Sequence, residues 1–194
     1  MISEQELAKL SYPEAPKMIT RFPGPKTQEI LSKEAKYESM TRGAGAFPVI
    51  WDEGMGATIK DPDGNIYIDT TAGVAVNAVG RLHPRVVKAI EEQLPKLMHA
   101  IDAGNTLRTA LAQKVSSVMP EGLRNNCITY FGQSGSAAVE TAIKFARRIT
   151  GRTQVVAFHG AYHGVWCGCV AMTTGEKFHQ LEDIGVVTGT NLSS

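Results

Sequence analysis

No apolar run in the 194 residues is long enough to span a bilayer. Met1 opens a polar stretch, ISEQELAKLSYPEAPK, without the apolar core of a signal peptide. A cytoplasmic setting with no membrane contact is the expectation. Charge of one sign is not in excess either: 20 basic and 19 acidic side chains leave a net charge of +1, and no basic stripe exists to hold nucleic acid. The three cysteines, Cys127, Cys167 and Cys169, are an odd number, and the last two stand too close in sequence to bridge comfortably, which fits free thiols in a reducing compartment. Internal repeats and low-complexity segments are missing, as are a Walker A sequence and the G-x-G-x-x-G pattern, so ATP and NAD are disfavoured. What remains, at 43% hydrophobic and 20% charged, is the composition of a soluble globular chain.

The order of elements is α/β. Residues 1–46 carry Pro13, Pro16, Pro23 and Pro25 and read as an irregular arm lying on another surface. Residues 47–75 contain ATIKDPDGNIYIDTT, two short strands, Ala57 to Lys60 and Ile66 to Asp69, around an Asp-Gly turn, hence a small β-meander. Residues 76–194 begin with a helix opened by Pro84, in which Val87, Ile90 and Leu94 share a face and Pro95 marks a kink or break. A second helix is expected from Thr106 to Met119, before Pro120. A short buried strand follows at Cys127 to Phe131, then a helix to Thr150 with Gly151 as its cap, then a strand at Gln154 to Phe158.

The bend before that last helix carries chemistry. In FGQSGSAAVETAIKFARR, Val139, Ala142, Ile143 and Ala146 form an apolar stripe, and Glu140 and Lys144 are spaced to pair at i,i+4. The first turn leaves backbone N–H groups pointing over Ser134-Gly135-Ser136, at the positive end of the helix dipole and beyond a strand. That suits an anionic phosphate. Gly135 permits close backbone approach, and the Ser134 and Ser136 hydroxyls can donate. The commoner role of a serine before a helix is to cap it, and on this stretch alone both roles stand.

A second constellation, VVAFHGAYHGVW, places Tyr162 and His163 on a Gly-flanked loop directly after the next strand, on the same sheet edge if the strands are parallel. Packing and satisfied loop histidines are the plain alternative. His159, His163, Cys167 and Cys169 cluster, but H-x3-H followed by C-x-C matches no common zinc pattern, so no metal is assigned. A phosphate beside a flat ring points to pyridoxal phosphate.

The succession GATIKDPDGNIYIDTTAGVAVNAVGRLHP, YFGQSGSAAVETAIKFAR and VVAFHGAYHG, from about Phe47 to Glu176, resembles the N-terminal part of class III aminotransferases, the pyridoxal-phosphate enzymes acting on ω-amino acids. The resemblance implies the N-terminal part of the fold-type I pyridoxal-phosphate-dependent fold: an arm, a small β-meander and an incomplete large domain with a mixed, mostly parallel sheet. It implies that Ser134, Gly135 and Ser136 bind the cofactor phosphate, that Tyr162 stacks on the pyridine ring, and that His163 lies close by. Gly73 to Gly80 and Trp51 would approach the amino-donor pocket. Two departures touch the substrate side: Ala137 stands where the family usually has an acidic residue, and Arg81 where it often has His or Tyr.

Family members are more than twice this length. The resemblance puts their Schiff-base lysine, and the aspartate that pairs with the pyridine nitrogen, in a region following residue 194. Neither Lys144 nor Lys177 matches that lysine, and the ending HQLEDIGVVTGTNLSS departs from the family pattern beyond about Phe178. The expectation is therefore a transaminase component taking an amino donor and a 2-oxo acid. It would be completed by a complementary polypeptide that carries the lysine, in a hetero-oligomer or a dimer of such pairs. A racemase on the same scaffold is the near alternative; a catalytically silent cofactor-binding or dimerising regulator is the more distant one.

Overall fold

The computed structural model describes Ser3, Gln5, residues 8–39, 47–101 and 103–175, and the backbone of Thr190–Leu192. The chain divides into two compact units, Met1–Ile101 and Asp102–Ser194.

The first unit is built on the meander. Strands β1 (Glu53–Met55), β2 (Thr58–Lys60) and β3 (Ile66–Ile68) pair antiparallel in the order β1-β2-β3, with Met55 opposite Thr58 and Lys60 opposite Ile66. The Asp-Gly turn forms as expected, and its chemistry is specific. Asp61 Oδ1 accepts from the N–H groups of Asp63 and Asn65, while Asp61 Oδ2 accepts from Asn65 Nδ2 and from the Tyr67 hydroxyl, each at 2.8 Å. Burial first, and the Asp61 carboxylate second, push the Tyr67 hydroxyl up to about 12.

The arm differs from its irregular expectation. It contains helix α1 (Pro25–Tyr37), which opens on a proline at its first position, where the missing N–H costs nothing. The Asp63 carboxylate accepts from Lys26 N–H and Thr27 N–H, both at 2.9 Å, and so caps α1 from the hairpin turn. Sequence spacing cannot show a cap supplied from a residue 36 or 37 positions away. The surface that receives the arm is the meander: Lys17 bridges Ile66, and the fully buried Asn65 accepts from Ile19 N–H and Thr20 N–H while donating to Thr20 Oγ1.

After β3 the backbone runs through four consecutive positive φ values, Ala72 (50°), Gly73 (63°), Val74 (62°) and Ala75 (62°), one left-handed helical turn. Asp69 holds it, accepting from Thr71 N–H, Thr71 Oγ1 and Gly73 N–H and pairing with Arg81 at 2.8 Å. Arg81 also lies over the Trp51 ring, 4.9 Å from its centroid. Helix α2 (Pro84–Gln93) follows, capped by His83, and ends before Pro95 as expected.

In the second unit, Asn105 caps α3 (Thr106–Ser117) by accepting from Leu107 and Arg108 N–H groups. The expected strand at Cys127 to Phe131 is not formed. Among the described residues nothing pairs with it, and Ile128 is fully exposed where a buried strand was expected. A strand exists only with a ladder partner, so its apolar sequence is insufficient by itself. Helix α4 (Gly135–Thr150) ends as expected at Thr150, with Gly151 at φ 69° closing it, and begins with Ser134 as its N-cap. Strand β4 (Val156–Phe158) pairs in parallel with β5 (Thr190–Leu192), Ala157 opposite Asn191. The chain's ending thus supplies a strand.

Packing on α4 is narrower than its apolar stripe. Ile143, Ala157 and Met172 form the core, with Val139 and Val155 against it, whereas Ala142 and Ala146 are exposed. Ile143 is the last buried residue of the helix, and its later turns keep Phe145 and Ile149 exposed.

One consequence is measurable. Hydrogen bonds from Thr71, and then Arg81, hold the Asp69 carboxyl well below the usual carboxylate range. A depressed folded-state pKa adds stability above the unfolded value of about 4, and that stability is lost as pH falls toward the folded value. Denaturation followed against pH should show stability steady near neutrality and declining below about pH 5. The decline should be shallower in Asp69→Asn; equal slopes would show that Asp69 contributes nothing to it.

Candidate functional site

The N-terminus of α4 resolves the two roles left open for its serines. Ser134 Oγ accepts from Ala137 N–H at 3.1 Å and Ser134 O from Ala138 N–H at 3.1 Å, so Ser134 is a true N-cap. Its hydroxyl hydrogen remains for donation. The N–H groups of Gly135 and Ser136, first and second in the helix, have no partner available within it and point outward. The space there is open: a Cβ built on Gly135 meets no atom within 4 Å.

The loop after β4 folds back onto this turn. Gly164, two residues beyond Tyr162, is buried, at φ 112°. A Cβ there would collide with Ser136 Oγ and lie 2.9 Å from Cys169 Sγ, so only glycine lets the loop backbone lie this close to the Ser134–Ser136 bend. His163 N–H donates to Thr173 Oγ1 at 2.9 Å, and Thr173 Oγ1 donates to Gly164 O at 2.7 Å, with Thr173 fully buried. Tyr162 is 62% exposed at the edge of this anchored loop. The structure therefore brings Ser136 and the Tyr162-His163 loop together through Gly164.

The expected Glu140–Lys144 pair does not form. Glu140 Oε1 instead accepts from Gly168 N–H at 2.6 Å and Cys169 N–H at 3.0 Å, at the start of the short helix α5 (Cys167–Val170). Two unsatisfied N–H groups are stronger partners for a half-buried carboxylate than a solvated ammonium one turn away. Glu140, Gly164, Gly168 and Thr173 are the residues that sequence reasoning missed. Their signal was present: glycines four apart in the loop face a Ser/Glu pair four apart on the helix.

No group of three or more His, Cys, Asp or Glu among the described residues is placed to hold an ion, and Cys169 Sγ accepts from Trp166 N–H at 3.2 Å. Lys144 lies exposed on α4, and Lys177 lies outside the described residues, as does most of the ending after Gly175. Trp51 and the Gly73–Gly80 segment belong to the first unit.

A family model described as aminotransferase class-III matches residues 39–187, further at both ends than the three motifs. The chain belongs to the class III aminotransferases. It is 36% identical over 83% of its length to an alanine/serine racemase of Pyrococcus horikoshii, and 38% identical over 69% to an acetylornithine aminotransferase of Methanopyrus kandleri. The chain spans about a third (34%) of the length of each of these relatives. A solved taurine:2-oxoglutarate aminotransferase of Bifidobacterium kashiwanohense, in complex with PLP and glutamate, superposes with a TM-score of 0.74 at 22% identity, over 87% of this chain and 38% of that one. That likeness establishes the fold as the N-terminal part of the fold-type I architecture.

The contact between loop and bend predicts a stability effect. Gly164→Ala should destabilise the protein by about 1–3 kcal/mol, because it adds a clash and requires a side chain at a φ that disfavours one. Chemical denaturation checks this, and unchanged stability would mean the loop does not seat on Ser136.

Proposed function

We propose that the chain binds pyridoxal phosphate, with the N-terminal turn of α4 holding the phosphate and the Tyr162 loop facing the ring, and that it forms part of a transaminase. The observation that carries this reading is the outward-pointing N–H pair of Gly135 and Ser136, with open space above Gly135 and the Tyr162 loop anchored alongside. An anionic group fits there on three counts: unsatisfied donors, the positive end of a helix of 16 residues, and hydroxyl donors on Ser134 and Ser136. Tyr162 offers an exposed aromatic face for a flat ring, with His163 beside it held at its backbone by Thr173. The resident cofactor, when bound, supplies an electron-withdrawing ring that accepts the electron pair released at the substrate carbon. This chain's residues bind and orient it.

The proton-transferring lysine and the aspartate facing the pyridine nitrogen come from polypeptide outside these residues, either in the same chain or in a partner. Ile128, Tyr130, Val156 and Phe158 are exposed on segments that a complete sheet would cover, and this supports such a completion. We place the assembled enzyme in the cytoplasm, in keeping with the free thiols Cys127, Cys167 and Cys169. Among the described residues no helix is long and apolar enough to cross a membrane. An amino donor and a 2-oxo acid are its substrates. Racemisation on the same scaffold is the second reading, consistent with the 36% identity to the Pyrococcus relative. Amino transfer consumes a 2-oxo acid stoichiometrically, whereas racemisation interconverts enantiomers without one, so product analysis separates them.

Gly135→Val tests the phosphate assignment cleanly, since the space above Gly135 is open within the chain. In the assembled protein it should leave folding cooperative and weaken pyridoxal phosphate, as should Ser136→Ala by about 1 kcal/mol. Unchanged affinity in both would refute the assignment. For the ring, Tyr162→Phe should bind the cofactor nearly as well as the parent, and Tyr162→Ala clearly worse. Titration by absorbance gives the comparison, and indistinguishable variants would rule out stacking.

A further inference from the structure

We infer that Glu140 is a positioning residue for the cofactor: it sets the register between the phosphate turn of α4 and the loop that carries Tyr162. This inference rests on the pyridoxal-phosphate reading above and assigns a role to a residue outside its contact set.

The geometry has two matched halves. Ser136 and Glu140 are four residues apart on α4 and therefore project from the same helix face, one above the other. Gly164 and Gly168 are four apart on the loop, and each lies against one of them. A Cβ on Gly164 would collide with Ser136 Oγ; a Cβ on Gly168 would sit 2.5 Å from Glu140 Oε2 and 3.0 Å from its Cδ. The upper contact is close packing without a hydrogen bond, which resists approach but not sliding. The lower contact is directional. Glu140 Oε1 receives Gly168 N–H at 2.6 Å and Cys169 N–H at 3.0 Å, two charge-assisted bonds converging on one oxygen. Two donors on one acceptor fix where the loop stands along the helix as well as how near it lies.

The loop then transmits that placement toward Tyr162. The single Thr173 hydroxyl hydrogen is shared between Gly164 O at 2.7 Å and, more weakly, Cys169 O at 3.3 Å, and the same oxygen accepts from His163 N–H. Thr173 is fully buried, so these bonds are shielded from competition with water. An unbroken line of contacts thus runs from Glu140 through Gly168 and Cys169 to Thr173, and from Thr173 to His163, the neighbour of Tyr162.

A register device matters for a ligand of this shape. Pyridoxal phosphate joins an anion to a flat ring through a short linker, so the phosphate donors and the aromatic face gain their joint affinity only when held at one separation. Inorganic phosphate engages the turn alone and has no second contact to align. Loss of Glu140 should therefore damage binding of the two-ended ligand selectively, whereas a general loss of structure at the N-terminus of α4 should damage both.

The test uses the assembled, full-length protein with two probes, pyridoxal phosphate followed by absorbance and inorganic phosphate followed by phosphorus NMR. Glu140→Ala should weaken pyridoxal phosphate by about tenfold, the scale of one charge-assisted hydrogen bond lost, while inorganic phosphate changes by less than about twofold. Glu140→Gln keeps an acceptor oxygen and should fall between Ala and the parent. Gly168→Ala perturbs the same contact from the loop side and should reproduce the selective loss, so it decides the matter if Glu140→Ala does not fold. Unchanged pyridoxal phosphate affinity in these variants, or equal losses for both probes, would overturn the positioning role. Failure of the unmodified protein to bind either probe would instead overturn the cofactor reading, and this inference with it.

Discussion

The Glu140 carboxylate, bound to two loop N–H groups, is the interaction on which the second unit's candidate site depends. Helix α4 could form without it, since Ser134, Gly151 and the core at Ile143 suffice to begin, end and bury a helix. What the helix could not do alone is decide where a neighbouring loop stops. Burying a carboxylate partly is tolerable only if donors replace its water, and the first N–H groups of α5 are such donors. Each side satisfies the other. The loop gains an anchor, and Thr173 ties its two ends together by accepting from His163 N–H and donating to Gly164 O.

Local grammar is legible in the sequence. Gly151 marks the end of α4 to the residue and the serines of the bend mark its start to within two, because cap chemistry acts over a few positions and leaves its signature in residue type. The Asp-Gly turn of the meander is readable for the same reason. What is not legible depends on partners distant in the chain. Helix α1 is capped by Asp63, the arm is tied down by Asn65, and Glu140 turns from its expected partner Lys144 to a loop 28 residues on. The strand expected at Cys127 to Phe131 fails on the same ground, since β-structure is a property of pairs and its partner is not among the described residues. The chemistry of the bend was readable as two alternatives, and the geometry admits both: Ser134 caps while the adjacent N–H groups stay outward.

The chain covers about a third of relatives that include both an aminotransferase and a racemase. That combination has a physical meaning. Phosphate grip and ring contact are common to every reaction that withdraws electrons from an amino acid into the same ring, so they carry no information about which proton goes where. Reaction choice is made by groups facing the substrate carbon. The features proposed for these 194 residues are of the first kind, which is why they point to a cofactor more sharply than to a substrate.

The left-handed turn at Ala72–Ala75 leads elsewhere. L-residues disfavour this conformation by about 1–2 kcal/mol each, and three of the four lack glycine's exemption. The turn persists because Asp69 accepts from Thr71 N–H just before it and from Gly73 N–H within it, and is itself held by Arg81. Such a segment behaves like a latch under tension. Its hydrogen exchange and protease susceptibility need not follow the meander's, because a small local opening relieves strain and exposes little apolar surface. For an engineer, the same four positions form a tuning point. Glycine at Ala72, Val74 or Ala75 would relieve the strain of the turn, while a second β-branched side chain beside Val74 would add to it.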